Sequence, residues 1–129
     1  MRQRLATRIA LALVTMLAAS AAAAAETMLS GGTFVGAPGE TASGSVAIVK
    51  DGGVTKLVLK ADFKMSAAPD AKLAFGKDGY VKGTIFAKLA KTDGMQDYVL
   101  PASVDISKYN EVWIWCEQYN VPLASAKLM

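Results

Sequence analysis

The residue best suited to chemistry is Cys116, the only cysteine in a chain of 129 residues. A thiolate is a nucleophile and a soft-metal ligand, but it needs neighbours that favour the charged sulfur. Few are available. The chain has no histidine, which removes Ser-His-Asp and Cys-His catalysis, histidine zinc sites and histidine haem ligation together. Its three arginines stand at positions 2, 4 and 8, so only lysines or a bound metal could activate the thiol. An enzyme is therefore the weaker reading. With one cysteine no intrachain disulfide can form. A single leftover cysteine in an exported chain is a buried inert residue, an intermolecular link or a reactive thiol.

Cys116 belongs to the run Glu111-Val-Trp-Ile-Trp-Cys-Glu-Gln-Tyr119. At strand spacing Val112, Ile114 and Cys116 point one way, and Trp113, Trp115 and Tyr119 point the other. A strand apolar on both faces belongs in a sheet interior with each face covered. On that reading Cys116 is a small core residue and Trp113 is packing whose removal is costly. On the other reading Cys116 is reachable at the strand end, while Trp113, Trp115 and Tyr119 form a stacking surface for a cofactor. Soft-metal capture is a third possibility, with Cys116 joined by methionines such as Met65 or Met95; thiolate and thioether ligands favour cuprous copper. The glycines precede no Gly-Lys-Ser/Thr and fit turns instead of a phosphate loop. The carboxylates are scattered and show no calcium-loop pattern.

The elements that must position these residues begin after an export signal. Met1–Arg8 is basic, Ile9–Leu17 is almost wholly apolar, and Ala18–Ala25 is alanine broken only by Ser20. This order predicts a signal peptide over 1–25, cleaved between Ala25 and Glu26. An uncleaved anchor is the alternative. The expected product is a single domain over 26–129, periplasmic or secreted, with no stable membrane span. Of the 14 basic residues, the arginines all leave with the signal. The remaining lysines balance the 11 acids, and the mature chain is neutral. A neutral, arginine-free domain lacks the field and the bidentate forks of nucleic-acid recognition.

From Glu26 onward the hydrophobic period is two. Thr33–Val35, Ser43–Lys50, Val54–Lys64, Lys72–Phe75, Tyr80–Leu89, Met95–Leu100, Glu111–Tyr119 and Val121–Leu128 read as strands. Asp51-Gly52-Gly53, Lys77-Asp78-Gly79 and Asp93-Gly94 read as turns between them. Within Val54–Lys64 the residues Leu57, Leu59, Ala61 and Phe63 share the dry face, opposite Lys56, Lys60 and Lys64. Ser103–Asn110 is a polar connection with room for one helical turn. About seven to nine short strands without a helical period predict an all-β antiparallel β-sandwich, with a partly open β-barrel as the alternative.

The run from Tyr109 to Leu128 resembles the end of the DM-thirteen domain, the electron-transfer DM domain, which closes on a Val-x-Ile-Trp-Cys core and an Ala-x-Leu. Gly32-Thr33-Phe34, Ser43-Gly44, Phe63, Pro69-Asp70 and Gly94-Met-Gln96-Asp-Tyr98-Val-Leu-Pro101 are similar to that family's upstream marks. The resemblance covers 32–128. It implies an exported redox or electron-transfer accessory domain centred on Cys116, as a free thiol or as ligand to a prosthetic group such as haem. Such modules are found beside DOMON and b-type cytochrome domains. A free-standing copy would therefore need a separate periplasmic or membrane redox protein as partner. Where family members commonly carry a histidine before the Ser-Gly step, this chain has Glu40. Outside the resemblance, a binding or scaffolding β-sandwich with a structural cysteine is the competing reading.

Overall fold

A computed structural model describes residues 26–129 and, ahead of them, Ala12 alone. The expected signal peptide otherwise lies outside the described residues. Ten strands follow in order: β1 (Thr27–Gly36), β2 (Ala42–Ser43), β3 (Ser45–Asp51), β4 (Val54–Leu59), β5 (Lys64–Met65), β6 (Ala71–Gly76), β7 (Ala87–Lys88), β8 (Gln96–Val99), β9 (Glu111–Cys116) and β10 (Val121–Lys127). The polar connection before β9 supplies one 3-10 turn, Ile106–Lys108. Among the described residues no helix is long and apolar enough to cross a membrane.

Eight strands form one sheet in the order β7-β6-β9-β10-β1-β3-β4-β8, and β2 and β5 form a small second sheet. Every named pairing is antiparallel. Strand β1 joins the halves: Thr27–Thr33 pairs with β3, and Phe34–Gly36 pairs with β10. The sheet's two ends also approach each other. After β7, the Ala90 amide donates to Tyr98 Oη at 2.9 Å and the Lys91 amide to Gln96 Oε1 at 3.1 Å, both on β8. The sheet thus folds over one core and nearly closes, a form that the sandwich and the partly open barrel both describe.

Alternation dictates the core. Val46, Ile48, Leu57, Leu59, Leu73, Phe75, Val112, Ile114, Cys116, Ala124 and Ala126 point inward and are buried together. Phe34 and Phe63 meet edge to face at 5.4 Å, and Phe75 stacks on both Phe86 and Tyr109. Asp51-Gly52-Gly53 makes the expected hairpin, with Gly52 at φ 61° and Asp51 opposite Val54.

Of the expected strands, Glu111–Tyr119 ends at Cys116, and two others are cut back by turns. Val54–Lys64 stops at Leu59 because the chain turns, the Phe63 amide donating to Lys60 O. The Asp62 carboxylate takes the Ser45 amide at 2.9 Å and the Ser45 hydroxyl at 3.1 Å. The Ser45 amide above all holds that carboxyl below its ordinary value. Phe63 returns to the core, but Ala61 is exposed. Lys56 pairs with Asp51 at 3.2 Å on a strand that is no edge, since β8 lies beyond it. Tyr80–Leu89 keeps only Ala87–Lys88 as strand. The Thr84 hydroxyl, accepting from the Phe75 amide and lying 2.9 Å from the Phe75 carbonyl, takes the place of a strand partner beside β6.

Candidate functional site around Cys116 and the outer face of β9

Cys116 closes β9, opposite Ala71 of β6 and Val121 of β10. Its side chain points inward and is 1% exposed. The thiol donates to the Pro69 carbonyl at 3.1 Å, so its hydrogen is satisfied in place. The Pro69–Asp70 turn lies over the thiol. Asp70 turns with φ 54°, and its carbonyl accepts the Glu117 amide at 3.3 Å. Lys72 then ties the rim, with Nζ 2.9 Å from Glu117 Oε1 and 3.2 Å from Asp70 Oδ1. The hydrogen bond to Glu117, then that to Asp70, raises the Lys72 pKa above its ordinary value.

The neighbouring segment is also tied down. The Ser66 hydroxyl donates to Glu40 Oε2 at 2.8 Å and accepts the Thr41 amide at 3.2 Å. Glu40, in the place where the DM-thirteen resemblance leads one to expect histidine, is thus engaged by a residue of the stretch leading to Pro69. Met65 is buried in the same core as Cys116, whereas Met95 is exposed. The two methionines named for soft-metal capture are therefore in different environments. Among the described residues no three His, Cys, Asp or Glu side chains group to hold a metal ion.

The outer face of β9 departs from the expectation of a covered strand. β9 is interior within the sheet, between β6 and β10, but Trp113 and Trp115 are only half-buried. Trp113 is therefore not a core residue. The two indoles meet edge to face at 6.2 Å, and Tyr80 stacks on Trp115 with centroids 3.9 Å apart and planes 7° from parallel. Tyr119, expected on this surface, stands in the turn after β9 and is 63% exposed. Tyr80 takes the place expected for it. Small neighbours make room for the rings: Trp113 lies across from Ala74 and Ser125, and any Cβ on Gly76 would strike its indole nitrogen.

Polar groups fix each ring. Trp115 Nε1 donates to Asn120 Oδ1 at 3.2 Å, and Trp113 Nε1 to Glu111 Oε1 at 3.4 Å. Glu111 Oε1 also accepts the Gly79 amide at 2.6 Å, while Asn110 and Asp78 exchange hydrogen bonds at 3.0 and 2.9 Å. These bonds hold the Lys77–Gly79 turn and so place Tyr80. Beside the stack lies a cavity of about 400 Å³, lined by Tyr80, Lys82, Ile85, Trp115, Glu117 and Asn120.

The donor set at the thiol does not suit haem. Cys116 is enclosed among packed core side chains with its hydrogen committed to Pro69, whereas a thiolate that ligates haem must present its sulfur to an open face.

The fold and site define a small all-β module with an enclosed thiol on one face of a strand and an ordered aromatic cluster on the other. The chain belongs to the electron-transfer DM13 family, whose model matches residues 33–128. No curated protein and no solved structure matches it. The family places the protein in an electron-transfer role. Tyr80 lies outside the motifs named in the sequence, and Glu111 and Asn120 lie within the closing run without a role readable there; all three enter the site through strand pairing and turn geometry.

Proposed function

We propose that the domain is an exported electron-transfer accessory module in which Cys116 is the redox centre, reached when the Pro69–Asp70 cover lifts. The observation that supports this is the construction of the cover. The Pro69–Asp70 turn lies over the thiol, and it is joined to the end of β9 by the thiol–carbonyl bond, one long amide bond and ion pairs at the rim, behind the Ser66 anchor. Ion pairs in contact with water contribute little to stability. Local opening therefore costs far less than unfolding the core.

The chemistry open to a single thiol is a mixed disulfide with a partner. The Cys116 sulfur, losing its proton, attacks one sulfur of a partner disulfide. The partner's S–S bond breaks, its second sulfur leaves as thiolate, and that thiolate takes up a proton. The partner disulfide is the oxidant, supplied by a periplasmic or membrane redox protein. Exposure of the native protein to a small aromatic disulfide tests this by intact mass. The wild type should gain one adduct, and Cys116→Ser none.

The second reading is a non-catalytic binding module with a structural cysteine. The observation favouring it is the same thiol, 1% exposed with its hydrogen bond made. Adduct formation only in denaturant, with normal stability for Cys116→Ser, would make this the better account.

A further inference from the structure

The outer face of β9 is organised beyond what sheet stability requires. Glu111 is a buried carboxylate, 8% exposed, spent on the Gly79 amide and the Trp113 indole. Burying a charge is costly unless it is well bonded, and an apolar residue would cost less. Two of the three non-glycine residues with positive φ among the described residues flank this face: Asp78, in the turn before Tyr80, and Asn120, which accepts from the Trp115 indole. Backbone held in that region carries strain, even though Asp and Asn tolerate it best. Buried charge and strained turns together fix Tyr80 against Trp115, yet the cavity beside the rings is open to solvent. Rings held in advance lose little freedom when a ligand arrives.

We infer that this cavity is a binding site for a neutral, polyhydroxylated ring, that is, a pyranose of an uncharged glycan. Tyr80 and Trp115 cover one face of each other, so the ring surface left to a ligand is the face of Tyr80 turned away from Trp115. An aromatic face is negative and favours a flat, weakly positive C–H face. A ligand must also supply hydrogen-bond donors as well as acceptors. Glu117 has only acceptor oxygens, and Oε1 is already held by Lys72, leaving Oε2 for a ligand donor. Lys82 provides only donors. Charge is balanced around the site, Lys72 and Lys82 against Asp70 and Glu117, so a net charge on the ligand gains nothing. A pyranose meets each demand. A quinone, also flat and neutral, brings acceptors alone and would offer Glu117 Oε2 no donor. The cavity falls within the size range of small-molecule sites, about 300–1,000 Å³.

This inference concerns the outer face and holds whatever the state of Cys116. The test is a tryptophan-fluorescence titration of residues 26–129 with cellotetraose, with chitotetraose and with a water-soluble naphthoquinone. Wild type and Cys116→Ser should both show a saturable change with at least one of the two oligosaccharides. Tyr80→Ala should weaken it about tenfold, the loss of one aromatic contact, in a domain that still unfolds cooperatively. Tyr80→Phe, which keeps the ring, should bind as wild type. Should Tyr80→Ala unfold, Lys82→Ala replaces it, with weakened binding expected. The proposal is overturned if neither oligosaccharide gives a saturable change. It is also overturned if Tyr80→Ala binds with full affinity, or if the naphthoquinone alone binds.

Discussion

Trp113 and Phe75 show how little residue type says about burial. Both are large aromatics on neighbouring strands, and period-two reading makes both candidates for the interior. Phe75 is enclosed and stacked on two rings, so Phe75→Ala should cost about 3–5 kcal/mol. Trp113 has one side in water, and Trp113→Ala should cost less than about 3 kcal/mol. Urea denaturation of the two variants checks the order. Equal losses would mean that another layer covers the outer face of β9 in solution. Cys116 was legible as the inward residue because Val112 and Ile114 set its phase. Tyr80 was not legible, because it reaches Trp115 through a turn fixed by Asn110 and Glu111, more than thirty positions along the chain.

At the scale of elements, strand order follows pairing between distant segments, whereas the turns are local and were readable. Asp51-Gly52-Gly53 announced its hairpin; nothing local announced that Asp62 would capture Ser45 and end β4 at Leu59. The rim over Cys116 is likewise a product of pairing, since β6 beside β9 brings Lys72 between Asp70 and Glu117. Lys72→Ala should speed native thiol labelling while leaving global stability nearly unchanged. The pH dependence has a definite sign. Lys72 is held above its ordinary pKa by Glu117 first and Asp70 second. Its contribution is therefore complete below the unfolded-state lysine value and is lost as pH rises through the folded one. Labelling rates of wild type and Lys72→Ala, each referred to the denatured protein at the same pH, should converge in alkali. A difference that persists unchanged there would show that the ion pair does not hold the cover.

For the whole molecule, the sequence specified an all-β antiparallel class and its near-closure left sandwich and barrel equally apt. The basic, apolar, small-residue order of 1–25 motivates the expectation of export. Intact-mass measurement on the protein recovered from the periplasm should give a chain beginning at or near Glu26. Recovery of 1–129 from a membrane fraction would contradict this. The central claim is that the enclosed Cys116 becomes accessible by a local opening of the folded domain. Maleimide labelling followed across low, non-denaturing urea concentrations tests it most directly. The account predicts a rate well above that allowed by global unfolding and nearly independent of urea, because little surface is exposed in the opening. A rate that tracks global unfolding, with the same urea dependence, would contradict it.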